Sequence, residues 1–274
     1  MEFAFKYSLY FLFVYFCMLF NFSYCFCSKL HNFSFSQFDS NWSPAAATWY
    51  GSPNGAGSDG GACGFGNIVG QPPFSSMVSA GGPSLFKGCH GCGACYQVKC
   101  TSDVNKACSG NPVIVVITDN CPGGPCASDS VHFDLSGTAF GAMANSGGAE
   151  QLRSIGKLTI QYRKVNCNYH GKTMTFHVDS GSTSNYFATL IEYVDGDGEL
   201  TKVELKQALN SDTWLTMQNL WGALWKLNSA STLRAPFSIR LTVAGTGETV
   251  VANNVIPVNW KAGQTYQSLV NFKH

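Results

Sequence analysis

Charge is what this sequence has least of. Lys, Arg, Asp and Glu make up 12% of its 274 residues, against ~25% in ordinary soluble chains. The 17 basic and 16 acidic residues leave a formal net charge of +1. With no Lys/Arg cluster, nucleic acid is excluded as the expected partner, and a strongly acidic polymer could not be captured by charge alone. Carboxylates are sparse through residues 45–167, where only Asp59, Asp103, Asp119, Asp129, Asp134 and Glu150 occur. Cysteine is missing after Cys167, and no segment after Cys27 is apolar enough to cross a bilayer. The histidines are scattered. No acidic cage and no Gly-rich phosphate loop stands before a helix, so neither a metal nor a cofactor is expected.

What is present is apolar, aromatic and Gly-rich: 45% hydrophobic, 14% aromatic and 29 glycines. That composition suits a secreted, mainly β protein. Lys6 precedes the uncharged stretch Tyr7–Cys27, and small residues at Ser23, Cys25 and Cys27 follow the apolar run. The pattern is that of a secretory signal peptide over 1–27. Nine of the 12 cysteines lie beyond it, and in an oxidising compartment they read as a disulfide framework. Cys89-His90-x-Cys92-x-x-Cys95 has zinc-knuckle spacing, but secretion weighs against zinc. Residues 28–44 form a polar lead with glycosylation sequons at Asn32 and Asn41. The end of the cysteines sets a boundary between a Cys-stapled unit at 45–168 and a second unit at 169–274.

The first unit carries strand-like runs at 94–100, 113–119 and 157–165, separated by long loops. In the second, Met174, Phe176 and Val178 alternate with Thr175 and His177, the period of a half-buried strand. Residues 187–194 and 200–205 flank Asp195-Gly196-Asp197-Gly198, whose Asp-Gly steps suit a hairpin turn and lack the offsets of a calcium loop. Further strands are expected at 221–227, 237–243 and 249–256, which together make a compact sandwich. Trp221 and Trp225 share strand parity, placing both on one face unless Gly222 bulges the strand.

Two carboxylates stand out. Asp119 ends the apolar run that begins at Val113, and Asp134 sits in Val131-His132-Phe133-Asp134-Leu135 ahead of a helix-like 136–144. An apolar wall beside either would raise its pKa. The plainer readings are a helix N-cap for Asp134 and a strand-end turn for Asp119. Asp59, Asp103, Asp129 and Glu150 read as solvated charges in polar loops. A pair of carboxylates in one stapled domain is what a glycoside hydrolase needs. Trp49, Tyr50, Tyr186 and Trp221 offer flat faces on which sugar rings could stack.

Taken together, these motifs resemble the expansins. The resemblance is carried by Thr48-Trp49-Tyr50-Gly51, the segments 61–65 (Gly-Ala-Cys-Gly-Phe) and 91–96 (Gly-Cys-Gly-Ala-Cys-Tyr), Thr118-Asp119-Asn120, and the run from His132 to Phe140. Cys167-Asn168-Tyr169-His170 and the closing 254–260 resemble the β-expansin branch, which includes grass-pollen group-1 allergens. The match runs from Trp42 to Phe272. It implies a six-stranded double-psi β-barrel, similar to family-45 endoglucanases, followed by an immunoglobulin-like carbohydrate-binding β-sandwich. By motif, Trp49, Tyr50, Tyr186 and Trp221 would form one polysaccharide-binding strip, and Thr48, Asp119 and Asp134 would line a groove. Asp134 would hold the position of the endoglucanase general acid. The endoglucanase base would fall at Ser52, which cannot deprotonate water at neutral pH. The resemblance therefore implies a secreted, monomeric, non-hydrolytic protein of the plant cell wall, loosening contacts between cellulose and matrix polysaccharides of the arabinoxylan type. An endo-acting hydrolase and a purely glycan-binding wall or defence protein are the alternatives. It also implies the disulfides Cys63–Cys92, Cys95–Cys167, Cys100–Cys108 and Cys121–Cys126. Cys89 is left over, expected to remain a thiol or to bond to another chain.

Overall fold

The structure, a computed structural model, describes residues 41–169 and 171–273. The signal segment, most of the lead with Asn32, and His170 lie outside the described residues. Asn41 is exposed immediately before the first strand.

Six strands close into a barrel: β1 (Ser43–Tyr50), β2 (Val78–Gly81), β3 (Cys95–Lys99), β4 (Val113–Asn120), β5 (His132–Ser136) and β6 (Leu158–Val165). Their order around it is β1-β5-β2-β4-β3-β6. The pairs β1–β5 and β2–β4 run parallel and the others antiparallel, the interleaved wiring of a double-psi barrel. β-branched runs such as Val115-Val116-Ile117 favour the pleated, buried setting they occupy. Ala47, Phe133, Leu135, Val98 and Ile160 fill the interior, with Phe140 and Leu152 against it. The helix after β5 spans Gly137–Ala142 and is capped by Ser136, whose Oγ accepts from the Ala139 N–H at 3.0 Å. Asp134 therefore belongs to the strand and is not the N-cap. Within the barrel region the structure bonds Cys63 to Cys92, Cys100 to Cys108 and Cys121 to Cys126, and ties Cys95 to Cys167. Cys89 is buried outside these four bonds.

The second half packs two sheets around a separate core of Phe176, Phe187, Trp225, Phe237, Ile239 and Leu241. β7 (Thr175–Val178), β8 (Tyr186–Glu192), β11 (Gln218–Trp221), β12 (Leu224–Asn228) and β15 (Thr265–Gln267) form one sheet. β9 (Leu200–Lys206), β10 (Leu215–Thr216), β13 (Phe237–Val243) and β14 (Thr249–Ile256) form the other.

Two sequence expectations fail here. The run 221–227 is not one strand: Gly222, at φ 51°, turns the chain, and β11 pairs antiparallel with β12. Trp221 and Trp225 thus part company, Trp225 entering the sandwich core and Trp221 facing the barrel. Nor is 195–198 a hairpin. β8 and β9 lie in different sheets, so the segment crosses between them.

Its acidic groups are buried at the junction with the barrel. Glu199 accepts from Lys87 Nζ at 2.8 and 3.0 Å and lies 3.2 Å from Lys164 Nζ. Lys164, on β6, also pairs with Asp197, whose other oxygen accepts from the Gly245 N–H at 2.6 Å. Asp195 accepts from the Tyr169 N–H at 2.8 Å. Glycine at 198 is required, because a Cβ there would stand 2.4 Å from the Gly93 carbonyl oxygen and 2.8 Å from Cys167 Sγ. Buried charges hold such a junction only while each is answered, and removing one partner costs about 3–5 kcal/mol. Lys164→Met is therefore expected to destabilise the protein by about that much in chemical denaturation, leaving Asp197 without its cation. A loss below about 1 kcal/mol would contradict the account of this junction.

Candidate functional site

The barrel aligns its chemistry in a row. Thr48 on β1 is in register with Asp134 on β5, Asp134 with Ala80 on β2, and Ala80 with Asp119 on β4. Two strand spacings separate the carboxylate-bearing backbones, about 10 Å. His132 and Asp134, two residues apart, share one face of β5, while Phe133 and Leu135 point to the core.

Asp134 is half-buried. Thr48 Oγ1 donates to its Oδ1 at 2.6 Å, and the same hydroxyl shares a 2.8 Å hydrogen bond with His132 Nε2. Cys121 Sγ lies 3.8 Å from Oδ2, but a disulfide sulfur carries no proton, so this is contact only. Burial pushes the Asp134 carboxyl above its ordinary value, with Asp119 adding to the rise and Thr48 and His132 opposing it.

Asp119 is differently employed. Its Oδ1 accepts from the N–H groups of Ala62 at 2.7 Å and Asn120 at 2.8 Å. Its Oδ2 accepts from Ser58 Oγ at 2.9 Å and, more weakly, from the Tyr50 hydroxyl at 3.5 Å. Gly61, at φ 41°, leaves room for the carboxylate, since a Cβ would overlap it at 1.9 Å. Asp119 thus anchors the loop 58–62 and caps its own strand end, as the plainer sequence reading had it.

The aromatic residues are half-buried. Trp49 donates its indole N–H to the Arg153 carbonyl at 3.0 Å. Tyr50 lies against Gly57, whose backbone covers the ring so closely that a Cβ would sit 2.4 Å from it. Burial lifts the Tyr50 phenol to about 12, so it stays protonated. Trp221 reaches from β11 onto Gly64 of the barrel half, and Tyr186 opens β8 in the same sheet. Beside Trp221, the Ala223 N–H donates to the Cys63 carbonyl at 3.0 Å, and a Cβ on Gly222 would strike that oxygen at 2.5 Å. The turn 61–64 is therefore a hinge point of contacts: Asp119 holds it from below and the β11–β12 hairpin docks on it. Ser52 is exposed just past β1, where its carbonyl accepts from the Gly55 N–H at 3.1 Å.

Two participants, His132 and Asp129, were not among the sequence candidates. Asp129, read as a solvated loop charge, accepts from Lys157 at 2.8 Å and meets His132 Nδ1 at 2.7 Å. Its spacing of three from a histidine on a following strand was the available signal. Glu150 is exposed but pairs with buried Arg153.

Comparison with known proteins adds the following. A family profile described as "Expansin C-terminal domain" matches residues 174–257, and one described as "Lytic transglycolase" matches 78–162. Expansin-B2 of Arabidopsis thaliana is 63% identical over 257 residues, covering 93% of this chain and 93% of its own. Expansin-B11 of Oryza sativa subsp. japonica is 57% identical over 233 residues, covering 84% and 78%. The solved apo expansin of Clavibacter michiganensis superposes with a TM-score of 0.63 at 20% identity, covering 85% of this chain and 99% of that one. A mutant of the same bacterial protein, solved in complex with cellohexaose, gives 0.62 at 20% identity, with 85% and 99% covered.

The docking of Trp221 can be tested directly. Gly64, at φ 82°, has no room for a side chain, since a Cβ would stand 2.6 Å from the Trp221 ring. Gly64→Ala is expected to lower stability by about 1–3 kcal/mol and to shift Trp fluorescence toward that of a solvated indole. Unchanged fluorescence with unchanged melting would show that Trp221 does not rest there.

Proposed function

The chain belongs to the expansin family, and from that premise we propose that it loosens plant cell walls without hydrolysis, by exchanging polymer–polymer contacts for protein–polymer contacts. The observation that carries this reading is the inequality of the two groove carboxylates. Asp134 is half-buried and raised, suited to hold a proton and hydrogen-bond a sugar hydroxyl. Asp119, the carboxylate whose charge acts on it, has both oxygens engaged in fixing the loop 58–62. Neither that anchored group nor Ser52 supplies the general base that an inverting glycosidase requires.

The ligand is a β-glucan chain of cellulose together with matrix polysaccharides of the arabinoxylan type. The cellohexaose complex of the bacterial relative supports the first part of this assignment. Trp49 and Tyr50 on the barrel, with Tyr186 and Trp221 on the sandwich, supply the stacking faces, and the junction between the halves fixes their spacing. A surface that binds a separated chain better than a packed one shifts the local equilibrium toward separation with no covalent step. The protein acts as a secreted monomer in the wall, its units running over 45–168 and 169–274 after a cleaved 1–27, with Asn32 and Asn41 as glycan acceptors. Among the described residues no helix is long and apolar enough to cross a membrane.

Because burial raises the Asp134 pKa, its protonated form survives to higher pH than an ordinary carboxyl and is lost as pH rises further. Wall extension by the native protein is expected to fall through that range. Asp134→Asn cannot ionise, so its extension activity is expected to lose this pH dependence. Trp221→Ala is expected to weaken cellulose binding several-fold, about 1 kcal/mol. An Asp134→Asn protein with the native pH profile would overturn the role given to this carboxyl.

A further inference from the structure

We propose that His132 and Asp134 hold one proton in common, passed through the Thr48 hydroxyl, with Asp129 and Lys157 fixing the outer end of the chain. The hydrogens along this chain can be counted. Asp129 touches His132 Nδ1 at 2.7 Å and Lys157 Nζ at 2.8 Å. These two partners hold the Asp129 carboxyl below its ordinary range. An ionised carboxylate only accepts, so Nδ1 carries a hydrogen.

At the other end, Nε2, Thr48 Oγ1 and Asp134 Oδ1 are joined by two short hydrogen bonds, 2.8 and 2.6 Å. Each bond needs one hydrogen, and the hydroxyl supplies one. The second sits on Nε2 or on Asp134. With it on Nε2, His132 is an imidazolium donating to Thr48, and Thr48 donates to the Asp134 carboxylate. In the alternative, Asp134 donates to Thr48 and Thr48 donates to the lone pair of a neutral imidazole. Conversion breaks the Nε2–H and Thr48 O–H bonds and forms a Thr48 O–H and an Asp134 O–H bond. A cation and an anion become two neutral groups, with no atom or charge left over. The ring is fully buried, with a side-chain exposure of 0%, so Thr48 and Asp129 are its polar neighbours in place of water.

Among the described residues, further titratable groups act on the pair from around Asp134. Asp119 and the protonated Tyr50 face it, and the Cys121–Cys126 disulfide carries no charge. His132 is thus a positioning residue. It sets the protonation of Asp134 from behind, through the hydroxyl that both of them touch. Loss of the shared proton at higher pH leaves one of the two bonds without a hydrogen, which releases Thr48 from one neighbour.

The use of this relay rests on the reading of Asp134 as a glycan-facing acid, but its existence does not. The test therefore needs no cell wall. Ring-nitrogen NMR of the folded protein labelled with ¹⁵N-histidine is followed against pH, with the other histidines as a check of fold. Native protein is expected to keep His132 Nδ1 protonated throughout, with Nε2 titrating. In Asp134→Asn the side-chain amide can donate to Thr48, no anion remains to favour the imidazolium, and the midpoint is expected to fall by about one pH unit or more. Asp129→Asn is expected to lower it too, and this second variant serves if the first misfolds. A His132 midpoint unmoved in the folded variants, or an Nδ1 without hydrogen in the native protein, would overturn the proposal. If the spectra behave as expected while wall extension shows no pH dependence, the relay stands and the function assigned to Asp134 falls.

Discussion

The structure depends on one constraint: two β units must hold a single surface across a short connection. Cys167 ends the barrel half, bonded to Cys95 on β3 and paired in backbone register with Gly196 of the sandwich half. Close by, Lys87 and Lys164 of the first half answer Asp197 and Glu199 of the second. On the groove side, the turn 61–64 receives the β11–β12 hairpin while its Ala62 N–H holds Asp119. Under the proposed function, a long polymer binding across both halves would gain from this, because ring faces held at a fixed spacing lose less ordering entropy on binding.

That constraint also explains how the two carboxylates divide labour. Asp119 lies where barrel and docked turn meet, so its charge is consumed by backbone N–H groups. Asp134 lies two strands farther along, beyond Ala80, where a hydroxyl and a buried imidazole are its partners. The barrel thus carries one half-buried carboxyl held by a hydroxyl and an imidazole, while its second carboxylate fixes the loop 58–62.

Much of this was legible in the sequence. The mainly β class, the barrel followed by a sandwich and the family membership all followed from short, ordered motifs. Local pattern also placed Asp119 at a strand end, because Val113–Thr118 reads as a buried strand with a polar terminus. Pairing in space was not legible. Asp129 looked like any loop carboxylate, since its use depends on Lys157 from far along the chain. Gly222, the exception the parity reading had named, separates Trp221 from Trp225, and the cause is tertiary: the backbone there turns against the Cys63 carbonyl. The Asp-Gly repeat at 195–198 carried hairpin chemistry, but tertiary pairing with two lysines placed it between sheets.

The proposed loosening proceeds without breaking glycosidic bonds. The most direct measurement is extension of heat-inactivated plant walls under constant load at acidic pH, with reducing ends assayed in the same sample. The account predicts extension with no new reducing ends. Reducing ends rising in step with extension would contradict it, and would mean that a group in the groove, Asp119 foremost, activates water after all.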